Sequence, residues 1–489
     1  MKFSGNLSRA ILSTLLGSSL LVGCGGSDGG SDPTPTPPLP PTPGPTAASQ
    51  MALWLTAPSD ASTRFFKSPQ ALNFGSAAGQ NPTIAVDTTQ TYQTIDGFGY
   101  TLTGGSAQLL NQMSAPTRAA LLKELFATDG SNIGTSYLRV SIGASDLDAR
   151  VFTYDDAAQP DPTLAQFSIA PDRVNLIPVL KEILAINPNI KILGSPWTAP
   201  TWMKTNNSYI GGSLKAEYYP VYAQYFVKYL QAMQAEGIQL DAVTLQNEPL
   251  HGGNEPSMVM TAAEQATFIR DFVGPAFRTA GLATKIILYD HNLDHPEYPL
   301  TILRDPEASQ YVDGSAFHLY DGTISTMSQV RNAFPSKNVY FTEQWVDGRS
   351  NNFAGDFGWH VNNLIIGATR NWSKNVLEWN LASDQNFGPH TPGGCSTCLG
   401  AVTINGNTVT RNVAYYTVAH AAKFVRPGSV RIASTTSENL PNVAFKTPSG
   451  QKVVVVQNNA KAPQTFNLRY QGKTLSTTLN PGAAGTYVW

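Results

Sequence analysis

Short runs of β-branched and aromatic residues alternate with longer amphipathic stretches from about residue 94 onward. The runs predict eight strands, at 94–100, 136–142, 190–195, 241–248, 285–290, 314–320, 338–345 and 374–381. Between them, apolar residues recur at three- and four-residue spacing, as in PTRAALLKELFA and YYPVYAQYFVKYLQAMQ, which indicates helices. Eight strand–helix repeats predict an α/β fold, the (β/α)₈ barrel, whose active site lies at the carboxyl ends of the strands.

The pattern changes after about residue 427, where VRIAS, NVAFKT, QKVVVVQ, QTFNLRY and GTYVW are separated by turn-forming segments. These short runs predict a small antiparallel sheet outside the barrel. Residues 50–93 are rich in Thr and Ser and poor in helix formers, so we expect them to add strands to that sheet. The predicted barrel therefore occupies 94–426, with a β domain formed by 50–93 and 427–489.

The first 49 residues are typical of a targeting signal followed by a linker. The apolar run at 10–22 follows two positive charges and is too short to span a membrane comfortably. It ends in LVGC, which resembles a bacterial lipobox, where the signal is cut before a cysteine that becomes lipidated. Residues 25–49 are rich in Gly, Ser and Pro and are expected to form an extended tether. We expect a signal peptide at 1–23, a tether at 24–49, and an exported bacterial lipoprotein anchored at Cys24, in the outer membrane, at the cell surface or in the periplasm. An ordinary signal peptide and a buried apolar start are the alternatives.

Composition narrows the class of substrate. The chain has 489 residues with a formal net charge of -2, and 42% of its residues are hydrophobic against 13% charged. This composition is typical of a protein with a large hydrophobic core, and the net charge excludes the basic surface that nucleic-acid binding requires. We expect a neutral substrate and no nucleic-acid partner.

The remaining cysteines, Cys395 and Cys398, lie in the sequence GGCSTC. In an oxidising compartment they could close a short disulfide that stiffens a loop. A zinc site would need two further ligands at matching spacing, which the sequence does not supply. His291 and His295 have a metal-like spacing but fall in a predicted loop. We therefore expect no metal and no cofactor.

Two glutamates stand at the ends of predicted barrel strands. Glu248, in TLQNEPL, ends the fourth strand, and Glu343, in YFTEQW, lies near the end of the seventh. Side chains at these positions point into the mouth of a barrel. Hydrolysis of a glycosidic bond needs one carboxylic acid to protonate the leaving oxygen and one carboxylate facing the anomeric carbon. The alternative is a pair of solvated carboxylates without a catalytic role.

The motifs QTIDGFG, SYLRVSIGASDL, GSPWTAPTWMKTN, TLQNEP, FHLY, FTEQW and LEWNLA occur in this order along the chain. This ordered set is highly specific, and over nearly the whole chain after residue 90 the sequence resembles glycoside hydrolase family 30, the glucosylceramidase-like family. The resemblance implies a (β/α)₈ TIM barrel with an attached β-sandwich built from N- and C-terminal segments. It also implies that Glu248 is the general acid/base and Glu343 the nucleophile.

The same resemblance implies a set of residues around the first sugar. Trp197 and Trp379 can offer apolar faces to a sugar ring, and Asp146 can bind its hydroxyls. Arg139 and Tyr320 could donate hydrogen bonds to the nucleophile. Without the resemblance, core packing of the tryptophans is equally reasonable. The full implied set is Arg139, Asp146, Trp197, Asn247, His318, Tyr320 and Trp379, with Asn247 placed for the 2-hydroxyl and a satisfied buried imidazole as the alternative for His318.

A retaining mechanism needs the two carboxyl groups roughly 5–5.5 Å apart, so that Glu343 attacks the anomeric carbon directly. Beside an ionised Glu343, we expect Glu248 to keep its proton to a higher pH than an ordinary glutamate does.

The loop after strand eight, FGPHTPGGCSTCLGAVTI, departs from the glucosylceramidase pattern, and His390 is a plausible replacement for the family's sugar contact there. This loop resembles bacterial members that act on β-glucans. A tethered lipoprotein also suits extracellular glycan better than a membrane-buried lipid. We expect a monomer that hydrolyses β-glucan or β-glucosides, with β-1,6-glucan favoured. Xylan- or glucosylceramide-directed hydrolysis, a non-catalytic glycan-binding lipoprotein and a structural anchor protein are the alternatives.

Overall fold

The computed structural model describes residues 50–75 and 79–489. The predicted signal peptide, the predicted tether and the predicted lipidation site Cys24 lie outside these residues. Among the helices of the described chain, none combines the length and the apolar character that crossing a bilayer requires.

The described chain forms strands in three groups: those before the barrel, those of the barrel and its rim, and those after it. In chain order they are β1 (Ala52–Thr56), β2 (Phe66–Lys67), β3 (Thr83–Thr94), β4 (Gly97–Leu102), β5 (Tyr137–Ser141), β6 (Lys191–Ser195), β7 (Ala242–Thr244), β8 (Lys285–Asn292), β9 (Val312–His318), β10 (Asn338–Glu343), β11 (Val346–Asp347), β12 (Ser373–Glu378), β13 (Ala382–Ser383), β14 (Cys398–Leu399), β15 (Val402–Asn405), β16 (Thr408–Arg411), β17 (Val430–Ser434), β18 (Asn442–Lys446), β19 (Lys452–Gln457), β20 (Gln464–Tyr470), β21 (Lys473–Leu479) and β22 (Ala484–Val488).

The helices lie between the barrel strands and after the last of them. In chain order they are α1 (Gly104–Gln112), α2 (Ala115–Phe126), α3 (Leu176–Ile186), α4 (Tyr219–Ala235), α5 (Ala262–Phe268), α6 (Gly274–Thr279), α7 (Glu297–Arg304), α8 (Pro306–Ser309), α9 (Thr326–Ala333), α10 (Phe353–His360) and α11 (Val413–Ala422). A π-helical turn, Ile269–Val273, joins α5 to α6, and another, Val361–Ala368, extends α10. Short 3₁₀ turns occur at Ala61–Thr63, Thr201–Met203 and Ala216–Tyr218.

The barrel is closed by eight strands in the order β10-β12-β4-β5-β6-β7-β8-β9, and all neighbouring pairs are parallel. This confirms the predicted fold. Because every strand runs in the same direction, the segments that follow them meet at one end of the barrel.

The interior of the barrel is filled below that end. Seven strands each contribute one buried residue to a separate apolar cluster: Tyr137, Leu193, Ala242, Ile287, Ala316, Tyr340 and Leu377. The strand without a member, β4, carries Gly99, where an added Cβ would come within 1.8 Å of the carbonyl oxygen of Tyr137. The barrel is therefore a packed core beneath the carboxyl ends of its strands and not a pore.

The strands at the two ends of the chain form one nine-stranded sheet, in the order β2-β1-β22-β19-β18-β17-β3-β20-β21. The sheet folds over itself, since Phe466 on β20 contacts Tyr487 on β22 although these strands are not neighbours. This confirms a β-sandwich built from both ends of the chain. The residues of 50–75 and 79–93 supply β1, β2 and most of β3.

The sandwich packs against the barrel through alternate residues of its strands. On β19, Val453 and Val455 belong to the barrel core, whereas Val454 and Val456 belong to the sandwich core. A strand places successive side chains on opposite faces, so the unbroken VVVV run is apolar on both. From α11, the buried ring of His420 forms hydrogen bonds of 2.8 Å to hydroxyls on β1 and β22.

Candidate active site

Glu248 and Glu343 meet at the carboxyl end of the barrel. Glu343 is the last residue of β10. Glu248 follows β7 by four residues, where sequence alone predicted a continuous strand, and its φ of +45° is in the left-handed region. A non-glycine residue in that region is strained, and such strain clusters at functional sites. Its N–H donates to the carbonyl of Asp290 at 3.0 Å, which holds the turn in place.

The two carboxyl groups face each other across a short gap. One oxygen of Glu248, one oxygen of Glu343 and a ring nitrogen of His318 all lie within 4.8 Å of one another. Both glutamates are buried. This separation leaves no room for a water between the carboxylates and matches the short spacing that retaining glycosidases use.

Glu343 is held by two hydrogen-bond donors. Arg139 Nη1 donates to Oε2 at 2.5 Å, and the Tyr320 hydroxyl donates to Oε1 at 2.9 Å. Burial raises the pKa of Glu343, and the positive charges of His318 and Arg139 oppose that rise. The two donors bond the ionised form and fix the direction of both oxygens.

Glu248 has a cationic partner that the sequence did not reveal. His318 Nδ1 lies 3.1 Å from Glu248 Oε1. Burial alone would lower the pKa of His318, but the surrounding carboxylates of Glu343, Asp290 and Glu248 raise it to about 9. Burial would likewise raise the pKa of Glu248, but the bond to His318 and its charge lower it below the ordinary value. The expectation of a raised pKa for Glu248 fails for this reason, since the structure pairs the carboxyl with a cation as well as placing it near an anion.

A cavity of about 500 Å³ opens above the two glutamates. The rings of Trp197 and Trp379 stand side by side in its wall, with centroids 5.4 Å apart, and Trp345 adds a third indole. Asn247 Oδ1 accepts a hydrogen bond of 2.6 Å from Arg139, which leaves the amide nitrogen for a sugar hydroxyl. The fourteen lining residues are Asp146, Trp197, Asn247, Glu248, His251, Asn254, Tyr320, Glu343, Trp345, Trp379, Gly393, Gly394, Cys395 and Cys398.

The loop after the eighth barrel strand forms one side of this cavity. Cys395 and Cys398 are joined by a disulfide. The N–H of Cys395 donates to Asp146 Oδ2 at 3.1 Å, and β14 pairs with β11 after strand seven. Gly394 leaves no space for a side chain, because an added Cβ would come within 2.2 Å of the Asp146 carbonyl oxygen. The loop is therefore pinned to its neighbours on both sides.

Asp146 lies deep in the cavity wall. Burial raises its pKa to about 7, and the charges of Glu343 and Glu248 add to the rise. Near neutral pH this carboxyl can both donate and accept hydrogen bonds, as recognition of sugar hydroxyls requires.

Glu248, His318 and Glu343 also form a group of donors close enough for a metal ion. His318, however, has a carboxylate 3.1 Å from each ring nitrogen, Glu248 at Nδ1 and Asp290 at Nε2. An imidazolium that donates from both nitrogens has no lone pair for a metal. The cluster suits proton transfer between acids and bases better than metal binding.

The structure brings together nearly all of the residues predicted for the site. Arg139 and His318 contact the glutamates from within the barrel. Five other predicted residues line the cavity beside the two glutamates: Asp146, Trp197, Asn247, Tyr320 and Trp379. His390 is not among the lining residues, and its Nδ1 lies 2.7 Å from the carbonyl oxygen of Thr391. The loop instead presents Gly393, Gly394 and the disulfide to the cavity.

Sequence reasoning missed Asp290, His251, Asn254 and Trp345. Asp290 ends a predicted strand, the same signal that identified Glu248, and Trp345 lies inside the motif FTEQW. His251 and Asn254 carry no comparable signal, because they follow Glu248 in a loop whose path only the folded chain defines.

Comparisons with known proteins identify the family to which this fold belongs. Residues 95–425 match the glycosyl hydrolase family 30 TIM-barrel domain, and residues 428–487 match the family 30 beta sandwich domain. The chain is 37% identical to an endo-1,6-β-D-glucanase of Aspergillus fumigatus, over 75% of this chain and 78% of that protein. It is 30% identical to the mouse (Mus musculus) lysosomal acid glucosylceramidase, over 81% of each. Among solved structures, the endo-β1,6-glucanase BT3312 superposes with a TM-score of 0.85 at 35% identity, covering 90% of this chain and 99% of that one.

Proposed function

The chain belongs to glycosyl hydrolase family 30, and from this premise we propose that it hydrolyses β-1,6-linked glucan, with Glu343 as nucleophile and Glu248 as general acid/base. It is a glycoside hydrolase of the retaining class. The observation that carries the mechanism is the approach of one oxygen of each glutamate to within 4.8 Å.

The proposed reaction has two displacements. Glu343 attacks the anomeric carbon while a proton from the Glu248–His318 pair reaches the leaving oxygen, so that a glycosyl ester forms and an alcohol departs. Once the ester has formed, the negative charge of Glu343 is gone. The pair then takes a proton from water, which attacks the anomeric carbon and restores Glu343.

The choice of β-1,6-glucan rests on the relatives and on the charge of the cavity. Proteins at 35% identity or more include endo-1,6-β-D-glucanases from fungi, and the superposed BT3312 is an endo-β1,6-glucanase. Within the described chain, the residues that line the cavity include neither lysine nor arginine. A xylan with acidic branch sugars would call for such a residue, whereas an unbranched neutral glucan does not.

We extend the proposal to location. An exported lipoprotein, held to a bacterial membrane through Cys24 and acting as a monomer on extracellular polymer, fits the LVGC segment and the Pro-rich residues after it. Membrane fractionation of the full chain and of the Cys24→Ser variant tests this. The wild type should partition with membranes and the variant should not; equal partitioning would contradict the anchor. Light scattering of the purified protein checks the monomer.

Incubation of the purified protein with β-1,6-, β-1,3- and β-1,4-glucan, xylan and glucosylceramide tests the substrate. We expect release from β-1,6-glucan well above the others, with proton NMR showing the β-anomer as the first reducing end. The Glu343→Gln variant, shown to be folded by circular dichroism, is the control and should release nothing. Preferred release from xylan or glucosylceramide would overturn the substrate assignment, and no release from any would favour a binding protein.

A further inference from the structure

Asp290 is the most heavily bonded carboxylate behind the proposed catalytic pair. It is fully buried near the end of β8, at a φ of +65°. Five side chains bond its carboxyl group: Arg139, Ser195, Thr244, His318 and Thr342, at 2.6 to 3.1 Å. A buried carboxylate with this many donors indicates that its negative charge has a role, because an apolar residue would fill the same space without the free-energy cost of desolvating a charge.

The two oxygens of Asp290 serve different partners. Oδ2 accepts from Arg139 Nη2 at 2.8 Å, and Nη1 of the same guanidinium donates to Glu343. Oδ1 accepts from His318 Nε2 at 3.1 Å, and Nδ1 of the same ring faces Glu248. Each oxygen therefore reaches one of the two glutamates through one cation.

The electrostatic environment favours the ionised form of Asp290 and the protonated form of His318. Burial would raise the pKa of Asp290, but Arg139, His318 and the Thr342 hydroxyl hold it well below its usual range. The titratable groups that face His318 are Asp290, Glu248 and Glu343, with the rings of His291 and Tyr320 at 6.4 and 6.0 Å. Burial lowers the pKa of His291 to about 4, so this neighbour is neutral and does not compete for the negative charge.

We propose that Asp290 is a positioning residue that fixes Arg139 against the nucleophile and keeps the shared proton of the Glu248–His318 pair on the imidazole until it passes through Glu248 to the leaving oxygen. This proposal rests on the proposed function of the two glutamates. The proton balance is complete. Before the step His318 is an imidazolium and Glu248 and Glu343 are carboxylates. After it His318 is neutral, Glu248 is a carboxylate, Glu343 is an ester and the leaving group departs as an alcohol. Replacing Asp290 would misplace Arg139 and would favour the neutral form of His318.

The Asp290→Asn variant removes the charge and keeps the shape. We expect kcat/KM on β-1,6-glucan to fall roughly 100-fold or more, the scale of general acid–base catalysis, with KM changed less. The alkaline limb of the pH profile should move to lower pH by about one unit, because His318 loses a neighbouring anion. A loss of activity without that movement would make Asp290 merely structural, and activity within threefold of wild type would overturn the proposal outright.

Glu378→Gln is the matched control. Glu378 is also fully buried, and its two oxygens lie 2.9 and 3.0 Å from Nδ1 of His360, but neither residue touches the catalytic pair. The control should lower the melting temperature about as much as Asp290→Asn while leaving the alkaline limb in place. A matching pH shift in the control would show that the movement reports general destabilisation, which contradicts the proposal.

A measurement on the wild type remains if Asp290→Asn fails to fold. Nitrogen-15 NMR of the histidine side chains, with the His318 signal assigned by its loss in His318→Gln, should show both ring nitrogens protonated at pH 7.5. A neutral His318 at that pH would overturn the proposal. This spectrum does not depend on turnover, so a protein that releases nothing from any glycan would fail the proposed function while the charge state of His318 was still measured.

Discussion

The Tyr320 hydroxyl donates a 2.9 Å hydrogen bond to Oε1 of Glu343, the oxygen that also lies 3.6 Å from Nδ1 of His318. Tyr320 follows β9 by two residues and reaches across to the end of β10. Arg139 bonds the other carboxyl oxygen of Glu343, Oε2, and not Oε1. The phenol therefore determines where the attacking oxygen of the proposed nucleophile points.

Tyr320→Phe removes this hydrogen bond and leaves the ring. A hydrogen bond to a charged group contributes about 1.5–3 kcal/mol, so kcat/KM should fall roughly 10- to 150-fold. Steady-state kinetics on β-1,6-glucan measures the loss. The melting temperature should change little, because the side chain is partly exposed. Wild-type kinetics in this variant would contradict the role of the phenol.

Glu248→Gln separates the two displacements. Glycan hydrolysis should fall by about 10²–10⁴, since its leaving group needs a proton. An aryl β-glucoside whose phenol leaves without protonation should still react in the first step, and the glycosyl ester on Glu343 should accumulate because water is no longer activated. Mass spectrometry of the trapped protein detects the adduct. An equal loss on both substrates, with no adduct, would remove Glu248 from the acid/base role.

The pH profile of kcat/KM should be bell-shaped. Glu343 must be ionised to attack, and burial raises its pKa, so activity is lost as pH falls through a value above that of an ordinary glutamate. The Glu248–His318 pair must hold a proton, and His318 has a pKa of about 9, so activity is lost as pH rises toward that value. Initial rates between pH 4 and 10 measure both limbs. An alkaline limb below pH 6 would contradict the assigned charge of His318.

The disulfide loop should affect substrate binding more than chemistry. Cys395→Ser combined with Cys398→Ser frees a loop that touches Asp146 but neither glutamate. Ordering the backbone of one residue costs about 1–2 kcal/mol, so reordering a single residue of the freed loop on binding corresponds to a rise in KM of roughly 5- to 30-fold with kcat nearly unchanged. Treatment of the wild type with dithiothreitol should reproduce the change. Cys24→Ser is the control, since this cysteine lies outside the described residues that form the cavity, and it should behave as wild type.

The sequence was sufficient to predict the barrel and to place the two glutamates at the carboxyl ends of its strands. Strand and helix periods are local properties, and eight alternating repeats close into a barrel in only one common way. The ends of the fourth and seventh barrel strands, β7 and β10, must therefore meet at the same mouth. The chemistry at those ends then follows from residue type. Small differences remained at boundaries: β7 ends at Thr244, and Glu248 lies in a strained turn beyond it.

Charge states were decided by the folded chain. His318 was predicted as a sugar contact or a satisfied imidazole, yet three carboxylates from separate parts of the chain, Glu248, Asp290 and Glu343, surround it and raise its pKa. Electrostatic interaction depends on distance through space, and no spacing along the chain encodes it. Asp290 ends a predicted strand, but only the folded chain shows that it bonds side chains from five other strands of the barrel.

The sequence by itself determined the order of strands and helices and the β domain formed from both chain ends. It also placed Glu248 and Glu343 at the mouth of the barrel. These features follow from local patterns and chain connectivity. Only the tertiary structure decided which side chains carry charge there and how the loop of Cys395 and Cys398 closes on Asp146. Those outcomes depend on contacts between residues that lie up to 249 positions apart in the chain.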